Sequence, residues 1–404
     1  MGHGHHHDHH LEPPDKLKLP DGFLAVTLGL VVLGLLAFGY GLASDSIRAW
    51  KSFLMGFTFT TLLAASGPFF VSTLYLSRAG WASTIRRIPE AFGAWLIPAG
   101  VLGLILALGG ATTLYEWTDV EEVAKDVILT HKAGYLNWTR MVITTPLIFA
   151  LWAGFAWLMN RNSRTQDTTG DKALSRMNGR LAAIFLVVFA LTLSIIGIDF
   201  LMSLHPHWFS TMWAVNIWAT MAQSGFALMT LTALYIQRKG LLDGFLNENH
   251  VHDLGKLTFA ATTFWAYIAF CQFLLMWYSN LPEEFIFWNT RYTHGWGTLT
   301  VLLPIIKFII PFLFLLPRGV KRGSGLMYMC IWILLATIYE IYWWVAPAPS
   351  AHEHHFLPSL PWMELAVILG FFGGFVLVVG KSLAKHNLIP IKDPRLHEAL
   401  HHHQ

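Results

Sequence analysis

The sequence predicts an all-α, polytopic membrane protein with about ten transmembrane helices. Three observations predict it. Of 404 residues, 54% are apolar and only 13% are charged, too apolar for soluble domains of that length. The apolar residues fall in runs of the length a bilayer requires. The lysines and arginines collect in alternate connections between those runs.

A helix needs about 20 apolar residues to cross the hydrocarbon core. The spans expected in chain order are 22–42, 51–76, 91–110, 139–160, 179–202, 212–237, 255–279, 297–317, 325–347 and 361–381. In lipid every backbone polar group must be satisfied within its own segment, so these runs predict helices rather than strands. The fifth and sixth are joined by the short His205-Pro206-His207-Trp208 connection, which predicts a tight hairpin.

Orientation follows from the basic residues. Lys16, Lys18, Arg78, Arg86, Arg87, Arg161, Arg176, Arg180, Arg238, Lys239, Lys321, Lys385 and Arg395 fall at the end that holds both termini. The opposite end has Arg48, Lys51, Lys125, Lys132, Arg140 and Arg291. An excess of Lys and Arg marks the cytoplasmic side, so both termini are expected there. That requires an even number of helices. The N-terminus shows no signal-peptide pattern.

The chain reads as an internal repeat, with chance likeness among common membrane residues as the alternative. The fourth and eighth helices each meet a proline about two turns in, Pro146 and Pro304, and the fifth and ninth each carry one acid near the outer side, Asp199 and Glu340. The expected domains are a His-rich cytoplasmic tail over 1–21, a flanking helix over 22–42, four-helix bundles over 51–202 and 212–347, a last flanking helix over 361–381 and a cytoplasmic tail over 382–404.

Cys271 and Cys330 both lie in apolar runs without a CxxC partner, which argues against a disulfide framework, a thiolate zinc site and a cysteine-ligated cluster. All 20 histidines fall in tails, loops or helix ends. Axial haem ligands project from within membrane helices, so no haem and no metal is expected in this chain. The clusters at 3–10, at His352, His354 and His355, and at His401–His403 read as solvated polar segments, or as weak metal ligands.

Ionisable groups inside a membrane are costly and usually functional. Asp199, Glu340 and Lys307 step inward from the outer side at three depths. Burial disfavours the charged form of either type of group, which suits proton exchange. Lys307 and Glu340 read equally as a structural ion pair between two helices. Asp199 has no basic residue near it in sequence. Gln223 and Gln272, with Ser224, Thr258, Thr262 and Thr263, extend a candidate proton path, although membrane hydroxyls more often bond to their own backbone. His131, His205 and His207 are candidates for a quinol site on the outer side. Glu283, Glu284 and Arg291, together with the aromatic segments 205–213 and 277–284, are candidates for a docking face.

Two long motifs carry a resemblance to a known family. Asp199-Phe-Leu-Met-Ser-Leu-His-Pro-His207-Trp208-Phe-Ser-Thr211 and Trp277-Tyr-Ser-Asn-Leu-Pro-Glu-Glu284 resemble segments of the membrane subunits of alternative complex III, as does the tail Pro390-Ile-Lys-Asp-Pro-Arg-Leu396. These subunits belong to the NrfD/PsrC superfamily, which includes the membrane subunit of polysulfide reductase. The resemblance extends over all ten helices and the tail. It implies ten helices as two four-helix bundles plus two flanking helices, in the inner membrane of a bacterium. It implies a cofactor-free subunit of a quinol:cytochrome c or related electron-acceptor oxidoreductase in respiratory electron transport. An iron–sulfur subunit, c-type haem subunits and a second NrfD-like membrane subunit would be its partners, with the lipid bilayer around it and no nucleic acid. The tail and the Asp199 motif are more similar to the ActF type, for which the implied role is scaffolding and proton translocation, than to the quinol-associated ActC type.

Two other readings stay open. In one, this chain binds the quinol, with His131, His205 or Asp199 accepting its proton. In the other it is a secondary transporter built from repeats, for which Pro146 and Pro304 would mark broken helices.

Overall fold

The computed structural model describes residues 14–293, 295–349, 358 and 360–402. The histidines at 3–10, His294, His352, His354, His355 and His403 lie outside the described residues. Helix accounts for 81% of the fold, and no strand occurs among the described residues. Among the described residues ten helices are long and apolar enough to cross a membrane: α1 (Phe23–Ser44), α2 (Ser46–Leu76), α3 (Arg87–Leu114), α4 (Trp138–Thr169), α5 (Lys172–Leu204), α6 (Trp213–Arg238), α7 (Glu248–Ser279), α8 (Gly297–Leu315), α9 (Ser324–Val345) and α10 (Trp362–Lys385). Each sits where an apolar run predicts it.

The largest departures lie at the end carrying the termini. There α4 runs on to Thr169, α5 begins at Lys172 and α7 begins at Glu248. These extra turns are polar, so hydropathy does not register them. Local capping holds them instead. Gly170 closes α4 at φ 71°, the Asp171 side chain accepts from Ala173 N–H to open α5, and Asn247 and His250 form a reciprocal cap on α7.

Helices α2 to α5 pack in a ring, each against the next and α5 back onto α2, and α6 to α9 form a second ring in the same way. The rings meet where α2 lies against α6 and α9, and α5 against α6. This junction is the driest part of the molecule: 94% of the α2 window is buried, against 17% for α1. Helices α1 and α10 pack on each other and together cover α2. At Gly34 and Gly370 their backbones come so close that a Cβ on Gly34 would lie 2.7 Å from Gly370 Cα. Small residues permit such backbone approach in membrane helix pairs, where water supplies no driving force.

Candidate functional site

The second bundle carries the site, and prolines build it. The first stretch of α8 ends at Pro304, and residues Ile305–Ile309 form a π-helical turn. Ile310 N–H bonds five residues back to Ile305 C=O. In that register the next donor would be residue 311, a proline with no N–H. Ile306 C=O instead accepts from the Trp332 indole at 2.9 Å, and Lys307 C=O accepts from Gln223 Nε2 at 3.2 Å. The wide turn therefore rests on side chains of α9 and α6. π-Turns of this kind occur frequently at functional sites.

Lys307 is fully buried inside the ring and forms a direct ion pair with Glu340 of α9. Glu340 also accepts from Thr220 Oγ1 at 3.0 and 3.2 Å and from Trp265 Nε1 at 2.7 Å. Lys307 Nζ lies 3.5 Å from Thr337 Oγ1 and 5.2 Å from the centre of the Trp265 ring. Burying a pair costs less when its other lone pairs find donors, and Glu340 has Thr220 and Trp265 besides Lys307.

An aromatic cavity lies on one side of the pair, and a run of amide and hydroxyl groups starts on the other at Gln223, which touches the Lys307 backbone carbonyl. Glu340 lines a cavity of about 460 Å³. Trp213, Trp265, Trp343, Trp344 and Phe287 give that cavity aromatic walls, while Asn216, Gln272 and Thr300 are polar points on its lining. Asn216 Oδ1, Gln272 Oε1 and the indole nitrogens of Trp213, Trp288 and Trp344 are buried there without a hydrogen-bond partner among the described residues. On the other side, Gln223 Nε2 donates to Thr262 Oγ1 at 3.1 Å, Thr262 Oγ1 donates to Thr258 C=O at 2.9 Å, and the Thr258 and Thr230 hydroxyls stand 3.5 Å apart. One helical stretch further, at the start of α7, Asp253 is held by Lys256 and His402 at 2.6 and 2.7 Å. Thr263 is exposed and donates to Phe259 C=O, so it stands apart from this run.

Asp199 corrects a sequence expectation. It has a basic partner, Arg140 of α4, which grips both carboxylate oxygens at 2.7 and 3.0 Å. The two are 59 residues apart, which hides the pair from any local reading. Arg140 itself is positioned by Asn137, whose side chain caps its N–H at 2.8 Å, and by the Tyr135 ring 3.8 Å below the guanidinium. Burial pushes the Tyr135 phenol up to about 12. In each bundle the last helix thus supplies an acid and the helix before it in sequence supplies the base.

Arg291 is also corrected. It is fully buried, so it belongs to no exposed docking face. It lies in a short helix, Pro282–Tyr292, folded over the second bundle. Its guanidinium donates to the carbonyls of Trp343 and Trp344 at 3.2 and 2.6 Å, and buried Lys51 donates to those of Ala346 and Ala348 at 3.2 and 2.5 Å. The orphan carbonyls at the end of α9 are satisfied by two cations, which also oppose the negative end of the helix dipole. Glu283 is exposed and Glu284, half-buried, accepts from Ser279, so these two remain at the surface.

The 205–213 segment is divided: Phe209 is 61% exposed, whereas Trp208, which stacks on Phe287 at 4.4 Å between ring centres, is 2% exposed, like Trp213. His205 lies against Arg291 and Phe287. Burial, reinforced by the charges of Arg291 and Lys51, holds its imidazole well below the ordinary 6.5. His207 Nε2 pairs with Asp126 at 2.5 Å, and that hydrogen bond keeps the Asp126 carboxyl below the usual value. His131 is exposed. None of these three histidines, nor Asp199, lines the aromatic cavity.

The residues that sequence reasoning missed are Thr220, Trp265, Pro311 and Arg140. Pro311, seven residues after Pro304, was the available signal for an interrupted helix around Lys307. No family model matches this sequence, and no curated protein matches it.

Proposed function

We propose that the chain is an integral membrane subunit without redox centres of its own that passes protons through its second bundle, in a quinol oxidoreductase similar to alternative complex III. The observation that carries this reading is the Lys307–Glu340 pair, set in a π-turn between a cavity and a run of amide and hydroxyl groups. A proton arriving at Glu340 leaves Lys307 without its counter-charge, so protonation of one group favours release from the other. Such coupling lets a buried pair hand a proton on rather than merely hold two helices together. The motifs at Asp199–Thr211 and Trp277–Glu284 supply the rest of the reading: an iron–sulfur subunit, c-type haem subunits and a second NrfD-like subunit as partners, in a bacterial inner membrane with the termini cytoplasmic.

The experiment is quinol-driven proton release from sealed vesicles carrying the whole assembly. Replacing Glu340 by Gln or Lys307 by Met is expected to lower protons released per electron while the subunits still co-purify. Glu283→Gln, at the surface, is the control and is expected to leave the ratio unchanged. Normal proton yield in both buried variants would end the reading.

The cavity supports a second reading, in which this chain also binds a quinone. An amphiphilic ring fits its aromatic walls, and Asn216, Gln272 and the unpartnered indole N–H groups suit oxygen substituents on that ring. A bound quinone would supply two-electron, two-proton chemistry. The transporter reading draws less support: α4 continues through Pro146 as one helix, and α8 widens at Pro304 without unwinding.

A further inference from the structure

Away from the second bundle, at the end of the molecule bearing the chain termini, a cavity of about 750 Å³ opens between the end of α2, the start of α5 and the C-terminal tail. The first turns of α5 set two stripes side by side. Lys172, Arg176 and Arg180 recur every four residues, and so do Ser175, Gly179 and Ala183. Residues four apart on a helix are neighbours, so three like charges in a row work against the helix unless an anion lies along them. The small stripe leaves space beside them: a Cβ on Gly179 would meet nothing within 4 Å.

Two more cations line the cavity from other elements, Arg78 after α2 and Arg395 in the tail. Arg78 adopts φ 53°, a left-handed conformation that glycine would hold without steric cost. Strained residues of this kind cluster at ligand clamps. Among the described residues, none of Arg78, Lys172, Arg176, Arg180 and Arg395 has a carboxylate within ion-pairing distance. Arg86, also on the lining, is different, because Glu90 and Asp393 neutralise it at 3.2 and 2.6 Å. The lining carboxylates are Asp393, already engaged by Arg86, and Glu398, which lies against Gly80. The surplus is strongly positive.

The cavity is not polar throughout. Leu74, Leu76 and Ala183 line it too, and the apolar surface continues along α5 through Met177 and Ile184, 50% and 55% exposed. Charge at one end and hydrocarbon at the other is the polarity of a phospholipid, and basic pockets between membrane helices take anionic headgroups. We propose that this cavity binds the phosphate-bearing headgroup of an anionic phospholipid, held between the Lys172–Arg176–Arg180 stripe and Arg78 with Arg395. Bound there, the lipid ties the C-terminal tail to α2 and α5.

The test uses the full chain, gently solubilised from its membrane, with retained phospholipid counted by mass spectrometry. The melting temperature is then followed after delipidation and re-addition of phosphatidylglycerol, phosphatidylcholine or inorganic phosphate. The expected result is enrichment of anionic lipid and a rise in melting temperature with phosphatidylglycerol alone. Arg176→Gln with Arg180→Gln is expected to cut retained anionic lipid by about thirtyfold, as the loss of two cations near a phosphate implies. Gly179→Leu keeps every charge and fills the groove, and is expected to lose the lipid as well. Arg78→Gly relieves the backbone, so it is expected to weaken lipid retention without weakening the delipidated fold. Equal retention of anionic and zwitterionic lipid, or unchanged retention in both the double variant and Gly179→Leu, would overturn the proposal. Full recovery of the melting temperature by inorganic phosphate would overturn it too, by making the site one for a free anion.

Discussion

Gln223 on α6 donates its amide to the backbone carbonyl of Lys307 on α8, 84 residues away, while the Lys307 side chain pairs with Glu340 on α9. One residue thereby joins three helices, through its carbonyl and its ammonium. The consequences can be measured.

Breaking the pair from one side leaves an uncompensated buried group. Lys307→Met or Glu340→Gln is expected to cost about 3 to 5 kcal/mol, and the paired replacement Lys307→Met with Glu340→Met less than either single change. Thermal unfolding in detergent of the three variants checks this. A double variant no better than the sum of the singles would mean that the two groups do not sense each other.

The π-turn depends on Pro311 having no N–H to offer Ile306. Trp332→Phe removes the indole that compensates and is expected to cost about 0.5 to 1.5 kcal/mol. In a Pro311→Ala background, where a backbone donor becomes available, the same change is expected to cost measurably less. A double-mutant cycle showing no coupling would contradict this origin for the turn.

The end of α9 is held by Arg291 and Lys51. Arg291→Met strips donors from two buried carbonyls and is expected to destabilise by about 2 to 4 kcal/mol, whereas Glu283→Gln on the exposed face of the same short helix stays within about 0.5 kcal/mol. Comparison of their unfolding midpoints decides between a buried cap and a surface role.

His205 sets a pH dependence. Its folded value lies well below 6.5, so between the two values the unfolded chain binds a proton that the folded chain refuses. Stability is therefore complete at neutral pH and declines as pH falls below the ordinary histidine value. His205→Gln is expected to flatten that part of the profile. An unchanged slope in the variant would assign the effect elsewhere.

The ten helices were legible because apolar runs and the segregation of Lys and Arg record them directly. Asp199, Lys307 and Glu340 were legible as buried ionisable groups for the same reason: hydropathy makes them conspicuous. Their partners were not. Arg140 stands at the start of α4, where it reads as an interfacial charge, and only packing of α4 on α5 brings it to Asp199. Arg291 was misread because the Pro282–Tyr292 helix is too short to register, and its burial depends on folding over the end of α9. The cavity was invisible for a related reason. Its walls come from α6, α7, α8, α9 and the short helix, and no single segment encodes it.

The most direct test is infrared difference spectroscopy of the assembly during turnover, watching the carbonyl stretch of protonated carboxyl groups. If Glu340 relays protons, a carboxyl band appears or shifts on quinol addition and is lost in Glu340→Gln, while Asp199→Asn leaves it in place. A spectrum that is the same in wild type and Glu340→Gln would contradict proton passage through the second bundle.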